Sequence, residues 1–144
     1  MTRDADRRYD IVKRLASTLD PRTVPDFLGL LADSDPEVRV CSIDALGSLG
    51  DSRGTGPLLK SLAVESQNVR YRCVKSLGKI GYQSSVEPLI RLLDEPDEDL
   101  RCYTVVALGE IGSDRAVKPL IQLSGVADRD MRYEIARALG EIGS

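Results

Sequence analysis

The segment Leu46-Gly47-Ser48-Leu49-Gly50 decides the fold, because it returns along the 144-residue chain at a constant interval. The same Leu-Gly-x-Leu/Ile-Gly pattern occurs at 77–81, 108–112 and 139–143, each 31 residues after the previous one and without insertion or deletion. A fixed period of about 20–50 residues is the signature of a repeat protein, whose units bury a core only by stacking on one another. We therefore predict a repeat architecture.

Each unit predicts two helices, A and B. In the second unit, helix A covers about Pro57–Val64, with apolar residues at the i, i+1, i+4 and i+5 spacing of one helical face. Helix B of the first unit follows Asp35, an N-cap residue with proline directly after it. Gly50 and its three equivalents suit the left-handed residue that ends a helix. Gly47 and its equivalents lie inside the last turn, where glycine costs about 1 kcal/mol relative to alanine. Their recurrence predicts a close approach of the next helix A.

The first 20 residues share the register of helix B. Arg8 lies 31 residues before Arg39, and Leu15 lies 31 residues before Leu46. We predict a lone, outwardly polar capping helix here, as terminal repeats require. The last unit has no such cap, so either the chain is a fragment of a longer array or this unit packs on another chain. The predicted fold is an all-α solenoid of antiparallel helix pairs, one domain over 1–144, divided into the cap 1–20 and the units 21–50, 51–81, 82–112 and 113–144.

The bulk composition excludes several classes of protein. With 42% hydrophobic and 30% charged residues, the chain is neither disordered nor membrane-spanning, and no apolar run approaches the roughly 18–20 residues of a transmembrane helix. No apolar stretch follows the charged N-terminus, so we expect no secretory signal. The net charge is −3, with both signs spread evenly along the chain. A nucleic-acid surface needs a basic excess, so we expect neither a nucleic-acid partner nor a membrane partner.

Histidine is absent, which bears directly on catalysis. The chain therefore has no imidazole for acid-base work near neutral pH or for a metal, and it cannot assemble a Ser-His-Asp or Cys-His system. Its three cysteines, Cys41, Cys73 and Cys102, are odd in number and lack CxxC spacing, which argues against a disulfide framework and a zinc site. We expect a non-catalytic protein without metal or cofactor, located in the reducing cytoplasm.

One arginine recurs seven residues before each repeated leucine. The four members of this column are Arg39, Arg70, Arg101 and Arg132. Recurrence in every unit favours a structural hydrogen-bond ladder between turns over a ligand site. Because a buried guanidinium must be paired, we expect these arginines to bond to Asp35, Asp97 and Asp128.

The unit resembles HEAT-like repeats, and more narrowly those of the phycobilisome-lyase type. The motifs are Asp-x-x-Val-Arg at the start of helix B, as in 35–39, Leu-Gly-x-Ile-Gly at its end, and Ala-Val-x-Pro-Leu-Ile in helix A, as in 116–121. The helix A entry at 54–57 departs from this last motif. The resemblance covers the four units and implies a HEAT-like superhelix. Such repeats occur in enzymes, lyase subunits and scaffolds alike, so the resemblance leaves the function open.

Two activities within this family bear on the chain. Some members are deoxyhypusine hydroxylases, which bind two irons through His-Glu pairs, and that activity cannot be carried over to a chain without histidine. Others attach bilin chromophores to antenna proteins, and no motif here transfers their activity to named residues. The resemblance nevertheless implies an alternative function, that of an accessory subunit of a bilin lyase or isomerase. In that function a tetrapyrrole would contact Arg72, Cys102 and Tyr103.

In HEAT-type solenoids the B helices line the concave side, which is the usual binding surface. The residues of helix B that do not face the core are therefore the binding candidates. Four of the five tyrosines fall in two adjacent columns of helix B, and such amphipathic rings are typical of interface hot spots. Simple packing of the tyrosines between neighbouring B helices is the alternative. The candidate partner-binding residues are Tyr9, Lys13, Val40, Cys41, Asp44, Tyr71, Arg72, Lys75, Lys79, Cys102, Tyr103, Val106, Glu110, Tyr133 and Arg137.

The third B helix differs from the others in charge. Between 70 and 79 it carries four basic residues and no acidic one, and Arg72, Lys75 and Lys79 share a face. The flanking units offer Asp44, Glu110 and Glu134. We therefore predict that the concave surface is acidic at one end, basic in the middle and acidic at the other end. A solvated helix face is the alternative for the basic residues. We predict a scaffold that binds a protein partner, one with an acidic segment, on the concave helix-B face. Self-association through the uncapped last repeat is a further alternative.

Overall fold

Residues 2–144 are described by the computed structural model, and within that range the chain is helical with no strand. The α-helices are, in chain order, α1 (Thr2–Thr18), α2 (Val24–Leu30), α3 (Pro36–Leu49), α4 (Thr55–Val64), α5 (Gln67–Ile80), α6 (Val86–Leu92), α7 (Glu98–Ile111), α8 (Val117–Ser124) and α9 (Arg129–Gly143). A 3-10 turn precedes each even-numbered helix, at Pro21–Thr23, Ser52–Gly54, Gln83–Ser85 and Asp114–Ala116. The predicted all-α solenoid is confirmed.

The helices form two layers. The odd-numbered helices, here the B helices, pack directly on one another in chain order from α1 to α9. The even-numbered A helices pack on the B helix of their own unit and contact the next unit chiefly through its 3-10 turn. The core is a continuous row between the layers, and its repeated leucines Leu46, Leu77 and Leu108 are fully buried. Cys73 is buried in the same row. Within residues 2–144, no helix has the length and apolar character needed to cross a membrane.

Side-chain caps begin the B helices. Three aspartates accept a hydrogen bond from a backbone N–H two or three residues further on: Asp35, Asp97 and Asp128. Ser66 occupies the same column but makes no such bond. The aspartate caps confirm the predicted starts of these helices, since an N-cap oxygen satisfies one of the free N–H groups there.

The glycine that closes the repeat motif ends three of the B helices. Gly50, Gly81 and Gly112 have φ of 68°, 72° and 76°, the left-handed conformation that glycine adopts without steric cost. Leu19 occupies the same column after α1 and also has a positive φ, of 49°. The prediction is wrong for Gly143, which lies within α9 and has no positive φ.

The other repeated glycine sets the spacing of the B helices. A Cβ placed on Gly78 would lie 2.9 Å from both the Cα and the Cβ of Ala107, and one on Gly109 would lie equally close to Ala138. These neighbours belong to the next helix B, so the prediction that helix A makes the close approach is wrong. The A helices lie in the other layer and meet the next unit at its 3-10 turn. Only glycine permits this helix-to-helix distance.

The repeated arginines form a ladder from each unit to the next. Each guanidinium on the first three rungs pairs with a carboxylate in the following turn between helices A and B: Arg8 with Asp33 at 3.0 Å, Arg39 with Glu65 at 2.8 Å, and Arg70 with Glu95 at 3.2 Å. The expected bonds to Asp35, Asp97 and Asp128 do not form, because those carboxylates cap their own helices. The arginines also donate to carbonyl oxygens near the end of helix A, as Arg39 does to Asp33 at 2.8 Å.

The ladder has no carboxylate on its last two rungs. Arg101 donates to the carbonyl oxygens of Glu95 and Pro96, and Arg132 donates to that of Ala127 at 3.2 Å. Within residues 2–144 neither guanidinium pairs with a carboxylate. For Arg101 the cause lies in the sequence, since the turn after α8 carries Val126 and Ala127 where earlier turns carry an acid.

Candidate functional site

The fifteen candidate binding residues all lie on B helices, and we call the surface that they form the B-helix face. Each of α1, α3, α5, α7 and α9 contributes between two and four of them. The structure collects most of them at three places along this surface. These places are a pocket between α1 and α3, an aromatic centre between α5 and α7, and an acidic cleft between α7 and α9.

The pocket between α1 and α3 has a volume of about 480 Å³. Six of the candidate residues line it: Tyr9, Lys13, Val40, Cys41, Asp44 and Arg72. The Lys13 ammonium lies 5.9 Å from the centroid of the Tyr9 ring, within the range of a cation–π contact. Sequence reasoning missed the remaining wall, which Ala16, Pro36, Glu37, Ala45 and Ser48 complete. Its volume lies within the size range of ligand pockets, about 300–1,000 Å³.

One ion pair lies at this pocket, in addition to the charged side chains of Lys13 and Glu37. Arg72 donates to the Asp44 carboxylate at 3.1 Å. Burial nevertheless raises the pKa of Asp44, because the desolvation of its charged form outweighs the attraction of Arg72, Lys79 and Lys75. Burial also raises the pKa of the Cys41 thiol, which therefore stays protonated at neutral pH. A protonated thiol is a poorer nucleophile than a thiolate.

Two tyrosines from neighbouring helices form the aromatic centre. The rings of Tyr71 and Tyr103 lie 5.2 Å apart at an angle of 42°, and the Lys75 ammonium lies 5.9 Å from the centroid of Tyr103. The Tyr71 hydroxyl donates to the Asp97 carboxylate at 2.7 Å, which ties this ring to the start of α7. Tyr103 has no such tether, and 37% of it is exposed. Tyr71 thus takes the packing role and supports Tyr103, which faces solvent.

The tie between Tyr71 and Asp97 is a measurable feature. Hydrogen bonds from Tyr71, Gln67 and the backbone N–H of Leu100 lower the pKa of Asp97 to about 2, and the bond to Asp97 raises the pKa of Tyr71 to about 12. Because the pKa of Asp97 is depressed in the fold, these bonds stabilise the protein above about pH 4. That stabilisation is lost as the pH falls through about 2.

We expect Tyr71→Phe to raise the pKa of Asp97 towards the ordinary value of an aspartate. The phenylalanine keeps the ring but removes the largest cause of the shift, the hydroxyl donor. Carboxyl chemical shifts in a pH titration by NMR measure the change directly. Tyr82→Phe is the matched control, since Tyr82 lies in a turn and the hydroxyl that bonds to Asp97 is that of Tyr71. An unchanged Asp97 titration in Tyr71→Phe would contradict the assignment.

The acidic cleft between α7 and α9 has a volume of about 310 Å³. The candidates Cys102 and Tyr133 line it together with five carboxylates: Glu98, Asp99, Asp128, Asp130 and Glu134. Sequence reasoning named Asp128 as a ladder partner and Glu134 as an acidic flank of the basic stripe, but it did not predict a cleft here. Burial, and then the nearby Glu134, raise the pKa of Cys102. The signal for this cleft was present in the sequence, but acidic residues in the first turn of a helix are normal and so do not stand out.

The remaining candidates form no common pocket. Val106 and Arg137 border a shallow depression of about 30 Å³ near the end of α9. Burial, followed by repulsion from Glu141, raises the pKa of Glu110, which faces Lys79 and Lys75 on α5. A larger cavity of about 670 Å³ opens beside Arg101 and Leu123, at the turns between helices A and B, where no candidate had been placed. Among residues 2–144, no group of three or more His, Cys, Asp or Glu is placed to hold a metal ion.

Stacked helix pairs with a continuous layer of B helices define an α-solenoid of the HEAT type. The family model for HEAT repeats matches residues 2–66 and 55–140, so the chain belongs to the HEAT repeat family. The resemblance to HEAT-like repeats of the phycobilisome-lyase type is thereby confirmed, together with the structural likeness below. No curated protein matches the sequence significantly.

Three solved structures illustrate the likeness. A chain in the complex of CpcE and CpcF of phycocyanin lyase from Nostoc sp. PCC7120 is 21% identical with a TM-score of 0.79, covering 94% of this chain and 59% of that one. Human deoxyhypusine hydroxylase is 23% identical with a TM-score of 0.72, covering 86% of this chain and 44% of that one. An engineered protein is 25% identical with a TM-score of 0.66, covering 95% and 70%. The chain thus spans less than two thirds of the first two proteins, and these similarities establish the fold alone.

Proposed function

We propose that this protein is a non-catalytic scaffold that binds a protein partner on the B-helix face. The carrying observation is the aromatic centre, where Tyr103 is supported from behind by Tyr71 and flanked by the Lys75 ammonium. An aromatic ring that is already held in place loses little freedom on binding, which is the property of an interface hot spot. Pockets on both sides of the centre, at α1–α3 and α7–α9, extend the surface along the array.

We further propose that the B-helix face is the concave side of the superhelix. The B helices pack directly on one another, at distances so short that Gly78 tolerates no Cβ. The A helices contact the next unit chiefly through its 3-10 turn. The layer with the closer spacing lies on the inside of a curved stack, and a concave inner surface is the usual binding side of a solenoid.

The charges indicate which segment of the partner meets the centre. Arg72 is engaged by Asp44, whereas Lys75 and Lys79 have no carboxylate within salt-bridge distance among residues 2–144. An acidic segment beside an apolar or aromatic anchor would pair with these two lysines and cover Tyr103. The acidic cleft at α7–α9 lies next to the centre and favours basic residues further along the same partner. The proposed partner segment therefore carries acidic residues where it meets Lys75 and Lys79, and basic residues where it meets the acidic cleft.

The test is quantitative affinity capture from a lysate of the source organism with wild type and two variants. Tyr103→Ala/Lys75→Glu alters the aromatic centre, and Tyr82→Ala/Lys118→Glu makes the same two changes at exposed positions outside it. We expect the first variant to retain its partner at least about tenfold less well, because a hot-spot residue contributes about 2 kcal/mol or more. The second variant should behave as wild type. If both variants retain every partner equally, the B-helix face is not the binding surface.

The alternative function is an accessory subunit of a chromophore lyase or isomerase. It is favoured by the likeness to the phycocyanin lyase complex and by the ligand-sized pocket that holds Cys41 and Arg72. A tetrapyrrole carries carboxylates that Arg72 would pair with, and Cys102 and Tyr103 lie further along the same face. Mixing the protein with a bilin and recording the visible spectrum tests this function directly. An unchanged spectrum at saturating protein removes it.

A further inference from the structure

The cavity of about 670 Å³ at the turns between helices A and B lies at a rung of the ladder that has no acid. On the first three rungs each arginine pairs with a carboxylate in the next turn. Val126 occupies the column of the ladder acids Asp33 and Glu95, and it lines the cavity together with Arg101. The other walls come from α6, α8 and α9, so the cavity is an internal junction of the array and not one of its ends.

The guanidinium of Arg101 is held in the orientation that receives a carboxylate elsewhere in the ladder. Arg39 donates through Nη1 to the carbonyl oxygen of Asp33, and through Nε and Nη2 to the two carboxylate oxygens of Glu65. Within residues 2–144 the side-chain hydrogen bonds of Arg101 use Nη1 alone, and the shorter one, at 2.8 Å, is to the equivalent carbonyl oxygen, that of Glu95. Nε and Nη2 of Arg101 therefore remain for a carboxylate, which such a pair of parallel donors binds through two hydrogen bonds.

The same cavity has apolar walls. They come from both A helices, from the turn after α8 and from α9, through Ile90, Leu93, Pro119, Leu123, Val126 and Met131. The volume of the cavity lies within the range of pockets that enclose a small ligand, about 300–1,000 Å³. An apolar group attached to a carboxylate would bury part of these walls, and the burial of apolar surface favours binding.

Four carboxylates also line the cavity, and they limit the charge of a ligand: Asp94, Glu95, Glu98 and Asp128. Glu95 pairs with Arg70, and Asp128 caps α9, whereas Asp94 and Glu98 are exposed. Exposed acids in the turn do not prevent a ladder arginine from binding a carboxylate, since Arg70 pairs with Glu95 directly after Asp94 in the chain. They do disfavour a ligand with a second negative charge.

We infer that this cavity binds a small molecule with one carboxylate and an apolar body. The carboxylate takes the place of the missing ladder acid on Nε and Nη2 of Arg101, and the apolar body lies against Leu123 and Val126. A bound ligand thus supplies the third and fourth units with the contact that the earlier units make through their own acids. The site is separate from the proposed partner surface, because none of the fifteen residues of the B-helix face lines it.

Octanoate is the probe for this site, and the Nε–Hε signal of Arg101 in proton–nitrogen correlation NMR is the readout. We expect a saturable shift of that signal in wild type. Val126→Glu places an acid in the ladder column, where it should pair with Arg101 and weaken octanoate binding at least about tenfold. Val126→Gln has the same size without the charge and should bind as wild type does. Val126 is 85% exposed, so both variants should fold, and far-ultraviolet circular dichroism checks this.

Two further probes separate recognition of the carboxylate from adsorption to the apolar walls. Octanamide keeps the chain without the charge, and octanedioate adds a second carboxylate, so both should bind more weakly than octanoate. Arg101→Gln should lower the affinity for octanoate to that for octanamide. The inference is overturned if the Arg101 signal does not shift at about 10 mM octanoate, if Val126→Glu binds octanoate as tightly as Val126→Gln, or if octanamide binds as tightly as octanoate.

Discussion

Gly78→Leu is expected to lower the free energy of unfolding by roughly 3 kcal/mol, through overpacking at the central interface between units. A Cβ at this position would lie 2.9 Å from two atoms of Ala107, and one of these two is the backbone Cα. A flexible side chain could rotate away from such a contact, but a backbone atom moves only with its helix. The whole of α7 would therefore have to shift from α5. Equilibrium unfolding in urea, followed by circular dichroism, measures the loss.

Gly140→Leu is the matched control for this prediction. It makes the same change at the same position of the repeat, but a Cβ there meets nothing within 4 Å. Because leucine favours a helix interior over glycine by about 0.5–1 kcal/mol, this variant should be slightly more stable than wild type. Opposite signs for one substitution at two equivalent sites would identify interface spacing as the cause. A comparable loss in both variants would instead point to the helix itself and would contradict the account of Gly78.

The fold could be predicted because its signals repeat. Gly50, Gly81 and Gly112 occur at one interval, and each ends a helix in the left-handed conformation. Three aspartate caps, at the start of α3, α7 and α9, fall in one column as well. Each repetition of a helix-start or helix-end signal supports the same assignment in the other units. The helix order and the stacking could therefore be predicted from the sequence.

Pairings between units could not be predicted in the same way. The ladder carboxylates Asp33 and Glu95 share a column, but Glu65 lies one position later, so no single offset aligns them with their arginines. The N-cap aspartates Asp35, Asp97 and Asp128 do recur with the period of the arginines, but each is engaged by a local bond from its own helix backbone. Likewise, Gly78 indicates that something approaches closely, but the glycine itself does not say which helix does so.

The candidate site was predicted in part for a similar reason. Exposed tyrosines stand out in a chain with few aromatic residues, and Tyr71 and Tyr103 do meet. The two tyrosines differ in one hydrogen bond, which Tyr71 donates to Asp97, the N-cap residue of the next unit. Alignment of the repeat units does not show that bond, because it joins residues of different units. The acidic cleft was not predicted because four of its five carboxylates, Glu98, Asp99, Asp128 and Asp130, lie at the starts of two helices. Only stacking brings those two turns together.

Arg39→Ala is expected to lower the free energy of unfolding by about 2 kcal/mol, because the ladder is a structural element at this rung. The Arg39 side chain is 21% exposed and that of Glu65 only 13%, and Arg39 donates to both carboxylate oxygens of Glu65. Removing the guanidinium leaves that carboxylate and the Asp33 carbonyl oxygen without this donor. An uncompensated, largely buried charge costs more than the ion pair itself contributes, and partial exposure of the pair reduces the penalty from its fully buried value.

Arg132→Ala removes the arginine of the same column from the last unit, and it should cost less than about 0.5 kcal/mol. Arg132 is exposed and bonds to one carbonyl oxygen, so water replaces the lost contact. A double-mutant cycle then separates the pair from the single residues. If Arg39 acts through Glu65, the loss in Arg39→Ala/Glu65→Ala should be smaller than the sum of the single losses by about 1 kcal/mol or more. Additive losses, or equal effects at Arg39 and Arg132, would mean that the carboxylate rung does not stabilise the stack.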